Sequence, residues 1–470
     1  MTFRPASLLV LFLMPACGDD TSRGGHDVTH TSDVSFPDAT TATTTTAADT
    51  SVASDTGTSD TDSADPSVTI ADTSVVDTTV ADTTVADTTV TTSEDATIED
   101  TTIEDTSVAD TSGPTCFTLP ASHARFVVVA RPYSEPDGDA SDRWEVLPLL
   151  SDGALGKATD SFTMDRAGFG HVSFSADGAL GAVATDNGDI DVFALSEAGK
   201  ATVIGDGLDL GVYADSVQVA GDQLFIVDSN WQNNGGGIYV ASFGCDGTLG
   251  AAHLLYATKN AYGLYRRADG KHLVAAKEAV DTTFGALALV SPKSASWERL
   301  ATANPFDADA IISKLALTAD GKFALVGDNQ FFSETPNRVA AIAVDTNTLT
   351  TIDVLSPIED PFDIVVSPMN DAVLVVTGYA NDVRVLDYDA TRLHPFIDMG
   401  VPDYVTQKPQ LPADAILVGG AFPNLVFVTE NQAIRRFQFE GNGEISDLGR
   451  TATAASESFE LIPGALGVQP

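Results

Sequence analysis

The chain has 470 residues, with 67 acidic against 24 basic side chains and a formal net charge of −43. A field of that sign repels nucleic acid and no basic stripe interrupts it, so nucleic acid is excluded as an expected partner. Residues from about Gly18 to Thr115 are almost entirely Thr, Asp, Ser, Ala and Val, with no Leu, Trp or Tyr, so the length holds one globular body of about 355 residues rather than several domains.

The chain opens MTFRPASLLVLFLMPACGDD. Arg4 precedes an apolar run from Leu8 to Met14, and small Ala16 stands before Cys17, the pattern of an export signal too short to span a bilayer. Ala16 and Cys17 resemble the cleavage site of bacterial lipoproteins. The resemblance implies a signal peptide over residues 1–16, a lipid on Cys17 and a membrane as partner; Gly18 in the next position implies the outer membrane or cell surface. Cys116 and Cys245 then remain, an even number in an oxidising compartment, either paired or as two thiols.

Residues 17–115 are of low complexity, with VADTTVADTTVADTT repeating every five residues. A period of five fits no helical face, and Thr and Asp bury too little apolar surface to offset the entropy of ordering, so a disordered linker is expected. It would span roughly 50–60 Å on average, more where its acids repel. Its threonine content is also compatible with O-glycosylation.

Beyond Cys116 the pattern is strands and turns. The unit GHVSFSADGALGAVATDNGDIDVFALSEAGKATVIG reads as four strands, His171 to Ser175, Leu180 to Thr185, Ile190 to Leu195 and Ala201 to Ile204, joined by turns in which Gly and Asn supply positive backbone angles. Its second strand recurs at roughly 45-residue intervals, a spacing suited to propeller blades. It reappears as ARFVVVARP, DQLFIVDSN, GKHLVAAKE, GKFALVGDN, DAVLVVTGY and NLVFVTENQ, which makes seven in all. Six of the seven follow an inner strand; the first, from Ala124, has only linker before it. The vacancy predicts that Phe459 to Ile462, near the C-terminus, supplies the innermost strand of the first blade and closes the ring.

The repeats resemble bacterial seven-bladed propellers of the lactonase-like and YVTN type. Ser175-Ala176-Asp177-Gly178, Thr318-Ala319-Asp320-Gly321 and Ser367-Pro368 stand where those repeats carry a Ser-Pro-Asp-Gly turn. The expected fold is all-β, a seven-bladed β-propeller with four antiparallel strands per blade over residues 116–470.

Inner strands of a propeller start at one mouth of the central channel, so their first residues share a space. Aligning the repeats places His171, Asp215 or Ser216, Tyr262 or Gly263, Lys314, Asp363, Asp414 and Glu460 there. Converging carboxylates raise one another's proton affinity and attract a cation. Two chemistries are open: a divalent-cation site of Ca2+ type on Asp363, Asp414 and Glu460, or an acid/base set of His171, Asp363, Asp414 and Glu460 that activates water on an ester. A purely structural network, with Lys314 salt-bridged to Asp363, is the competing account. In lactonase-like relatives a His before the inner strand, with acids and arginines around the mouth, accompanies hydrolysis; the resemblance implies that role for His171 and Glu460, while no arginine matches.

Long loops on the same face carry Trp231, Phe331 and Phe332, candidate ligand-binding anchors together with Lys314. Asp137-Gly138-Asp139 begins like a calcium loop, but Asp142 and Pro148 occupy the positions that need Gly and Glu, so it is not an EF-hand. No Gly-x-Ser-x-Gly, His-Glu-x-x-His, phosphate-loop or Cys-x-x-Cys pattern occurs. The expected function is therefore an exported, lipid-anchored, monomeric binding module for a small molecule, glycan or protein. The alternative is a lactonase-like hydrolase using the acids at the channel mouth.

Overall fold

The second strand of each repeat is apolar at consecutive positions, as in Val127-Val128-Val129, because it lies mid-blade with other blades covering both its faces. Phe126–Arg131, Leu180–Ala184 and Ala372–Thr377 are buried along their whole length. The computed structural model describes residues 115–470 apart from 132–141, 165, 167, 169, 231–235, 281–282, 307–309, 330–336, 379–381, 401–412, 431–432 and 454–463. The expected signal peptide, Cys17 and nearly all of the expected linker lie outside the described residues.

Among the described residues there is no helix, and the strands form seven four-stranded antiparallel sheets. Blade two comprises Ser173–Phe174, Leu180–Ala184, Ile190–Leu195 and Ala201–Leu208 in that order outward. Seven apolar clusters hold the ring, and each spans two neighbouring blades: Val128, Trp144 and Phe193 join blades one and two, and a layer of Leu273, Leu287, Val326 and Ile342 joins blades four and five. The last cluster sets Val127, Val129 and Leu147 of blade one against Leu425, Phe427 and Ile434 of blade seven, so the wheel is closed.

Closure is by the C-terminal strand, as the count of strands required, but the segment differs from the one expected. Leu466–Val468 pairs with blade one, Val127 facing Val468, Val128 facing Gly467 and Val129 facing Leu466. Phe459 to Ile462, the predicted strand, lies outside the described residues. The innermost position brings the backbone close to blade two: a Cβ on Gly467 would sit 2.5 Å from Cβ of Val172. Gln469, fully buried, fixes the join. Its Oε1 accepts from the Phe126 N–H at 2.9 Å, its backbone N–H donates to the Phe126 carbonyl at 3.0 Å, and its Nε2 donates to the Gly178 carbonyl at 2.7 Å.

The start of the body is fastened at the face opposite the starts of the inner strands. Cys116 and Cys245 form a disulfide across 129 residues, with Cα atoms 4.8 Å apart. The Phe117 N–H donates to the Cys245 carbonyl at 2.9 Å, and the Leu119 N–H reaches Asp177 Oδ2 at 3.3 Å. Asp177 belongs to the Ser175 to Gly178 turn, where its Oδ1 accepts from Ser175 Oγ at 2.7 Å and from the Ala179 N–H at 3.1 Å.

Candidate functional site at the channel mouth

The inner strands bulge where they begin. Strand register slips between Ala214 and Ser216 in blade three, Ala261 and Gly263 in blade four, Ile312 and Leu315 in blade five, and Pro361 and Asp363 in blade six. A bulge leaves a residue out of the ladder and re-aims its side chain. The residues left over include Asp215, Tyr262 and Lys314, and Asp363 follows directly on the slip in its strand. This decides the two open alignments in favour of Asp215 and Tyr262 over Ser216 and Gly263.

His171, Asp363, Asp414 and Lys314 come together. His171 Nε2 lies 2.9 Å from Asp363 Oδ2, and Lys314 Nζ lies 3.6 Å from Asp414 Oδ1. Both pairs skip blades, His171 reaching from blade two to blade six and Lys314 from blade five to blade seven, so they lie across the channel rather than along its wall. Lys314 therefore pairs with Asp414, not with Asp363. Asp363 is nearly buried and saturated: Oδ2 also accepts from the Ala415 N–H at 2.8 Å, and Oδ1 accepts from the Ile364 N–H at 2.8 Å. The His171 side chain keeps 39% of its surface and that of Lys314 30%, surface that opens into the channel.

Proton affinities are displaced in opposite directions across this small space. Burial disfavours the charged form of His171, but the Asp363 carboxylate outweighs it, with help from Asp414, and the imidazole is pushed up. Burial would push Asp363 up, yet His171, Lys314 and two N–H donors hold it below the usual range. For Asp414 burial prevails over Lys314 and His171, and Asp363 adds to it, so its proton affinity rises. Asp215 is pushed up to about 6, first by desolvation, with Lys314 opposing and Asp228 adding to it. Lys314, among three acids, holds its proton more firmly than a free lysine in spite of burial.

His171, Asp363 and Asp414 present ligand atoms within 4.8 Å of one another. A divalent cation there would displace both His171 from Asp363 and Lys314 from Asp414, so the chain's own cations already occupy the role a metal would take. The arrangement fits a polar ligand better than a metal. Glu460, expected as the third carboxylate, and Trp231, Phe331 and Phe332, expected as aromatic anchors, lie outside the described residues.

Sequence reasoning confined to inner strands missed the far ends of the second strands. Arg131, Asp228, Asp328 and Glu430 all end there, and all are buried. Asp328 pairs with Arg338 and accepts from the Ile311 N–H, while Glu430 pairs with Arg435, itself bound to Asp447. Arg131 binds Thr453, and burial pushes its guanidinium down to about 10 against the pull of Glu145. A charged residue closing an otherwise apolar run was the available signal.

No protein-family model matches the sequence, and no curated protein matches it. Solved structures do. A periplasmic gluconolactonase from Pseudomonas aeruginosa aligns at a TM-score of 0.53 and 13% identity, covering 74% of this chain and 99% of that one. A protein from Bacteroides fragilis provisionally named a 6-phosphogluconolactonase aligns at 0.54 and 14% identity, covering 74% and 99%. A protein from Lactobacillus plantarum aligns at 0.56 and 12%, covering 74% and 100%. The shared feature is the propeller. At these identities the likeness carries the fold alone.

Proposed function

We propose that the protein is a hydrolase of lactones or similar cyclic esters, with its site at the channel mouth. The supporting observation is the His171–Asp363 pair beside Asp414 and Lys314, a set with proton affinities driven apart within one space. With Nε2 donating to Asp363, Nδ1 of His171 is the nitrogen left to take a proton from water. That water attacks the ester carbonyl, and the Lys314 ammonium stabilises the oxyanion that forms. Collapse of the intermediate breaks the ring C–O bond, and a carboxyl with raised proton affinity, Asp414 or Asp215, protonates the departing oxygen to give the open hydroxy acid. The gluconolactonase names of two structural neighbours agree with this reading.

In the same proposal the protein is exported, carries lipid on Cys17 and stands as a monomer at the outer membrane or cell surface. The export-signal pattern and Cys17 support this part. A plain binding module for a small polar ligand is the second reading, favoured by the way His171 and Lys314 each neutralise the acid they pair with. A panel of aldonic γ- and δ-lactones followed by pH-stat discriminates the two. Turnover above the uncatalysed rate, lowered 100-fold or more in His171→Asn, supports the hydrolase. No turnover, with ligand-induced stabilisation that Asp414→Asn abolishes, moves the assignment to the binding module.

A further inference from the structure

The upper corner of blade two holds acids that the channel mouth does not use. The turn Asp186-Asn187-Gly188-Asp189 joins the second and third strands, Asp191 follows in the third strand, and Asp206 lies opposite it in the fourth. The ladder between those strands slips twice, between Ile190 and Val192 and between Val192 and Phe193. Gly207, in the left-handed region at φ +63°, turns its N–H onto Asp191 Oδ1 at 2.7 Å. Asp191 is completely buried, and its other oxygen, Oδ2, has no hydrogen-bond partner.

A buried carboxylate oxygen without a partner has given up its hydration with nothing in return. The charges that bear on Asp191 make this worse, since they are the carboxylates of Asp206 and Asp189. At the channel mouth, by contrast, Lys314 and His171 supply the positive charge. The turn is locked without help from Asp191 Oδ2: Asn187 Oδ1 accepts from Thr185 Oγ1 at 2.7 Å, and Asn187 Nδ2 donates to Asp189 Oδ2 at 2.7 Å. Asp206 is exposed, so the corner is open to solvent on one side.

We propose that this corner is a divalent-cation site, with Asp191 Oδ2 and the Asp206 carboxylate as ligands, Asp189 beside them and water completing the shell. Two carboxylates from facing strands with an open solvent side match the oxygen preference of Ca2+ and Mg2+. The cation supplies positive charge beside Asp191 and ties the third strand to the fourth at the rim beside the mouth.

The full chain, stripped with EDTA, is titrated calorimetrically with calcium, magnesium and manganese chlorides at pH 6.5. The expected result is one saturable site, weakened at least tenfold by Asp206→Asn and by Asp191→Asn, and unchanged by Asp414→Asn at the channel mouth. Asp206 is exposed, so its variant folds whatever the fate of Asp191→Asn. Absence of saturable binding for all three cations overturns the proposal. So does binding that Asp206→Asn leaves intact, which would place the cation elsewhere on this acidic chain, or binding that only Asp414→Asn abolishes, which would place it at the mouth.

Discussion

His171 of blade two and Asp363 of blade six meet at 2.9 Å although blades one and seven stand between them on the ring. The pair therefore acts as a strut across the axis, and its protonation state bears on the stability of the hub as well as on any chemistry there.

The pH dependence of that strut has a defined sign. The folded protein raises His171 above its ordinary 6.5, so this contribution is complete below 6.5 and fades as pH rises through the folded value. It lowers Asp363 below 3.8, so that contribution is complete above 3.8 and fades as pH falls through the folded value. The difference in melting temperature between the native protein and His171→Asn should thus be greatest between about pH 4 and 6.5 and shrink on either side. A difference that stays flat from pH 4 to 9 would remove the ion pair from the account.

Lys314 faces three carboxylates, those of Asp363, Asp414 and Asp215. Lys314→Met should destabilise by about 1–3 kcal/mol, because it strands Asp414 and Asp215, which are already hard to ionise. It should also raise the proton affinities of Asp414 and Asp215, both of which Lys314 now lowers. Carbon-detected NMR titration of the carboxylates reads this directly, and an unmoved Asp414 contradicts it.

Gln469 satisfies three backbone groups from a fully buried position. Gln469→Ala keeps the bond made by its own N–H but orphans the Phe126 N–H and the Gly178 carbonyl, at a cost of about 2–4 kcal/mol. Deleting residues 465–470 should go further, exposing Phe126–Arg131 as an unpaired edge and giving aggregated protein on size-exclusion chromatography. A monodisperse, cooperatively melting truncation would contradict closure by this strand.

The Cys116–Cys245 bond closes a loop of 129 residues. Its removal in Cys245→Ser should lower stability by about 2–4 kcal/mol in denaturant titration, and reducing agent should affect the native protein but not the variant. Equal sensitivity of both to reductant would contradict this.

The fold was largely legible because strand counting is topological. Seven second strands and six inner strands leave one place to fill whatever the residues that fill it. Which residues fill it was not legible from apolarity, since Phe459 to Ile462 looks more like a strand than Ala465-Leu466-Gly467-Val468, whereas the axis favours a residue with no side chain beside Val172. Repeat alignment brought His171, Lys314, Asp363 and Asp414 to one mouth. It left Asp215 and Tyr262 undecided because a bulge shifts register by one residue without a mark in the repeat. Asp191 was hidden for another reason: it sits in a third strand, and only the doubled slip against the fourth strand shows that it faces Asp206.

The strand Leu466–Val468 is synthesised after all the others yet belongs to the blade that begins at Phe126. A ribosome or translocon delivering this chain in order releases six blades before the first can be finished. Until then the Val127-to-Val129 segment has its inner hydrogen-bonding groups bare, which makes the interval before the tail arrives the period of greatest exposure to misassembly and gives holding factors their natural point of action.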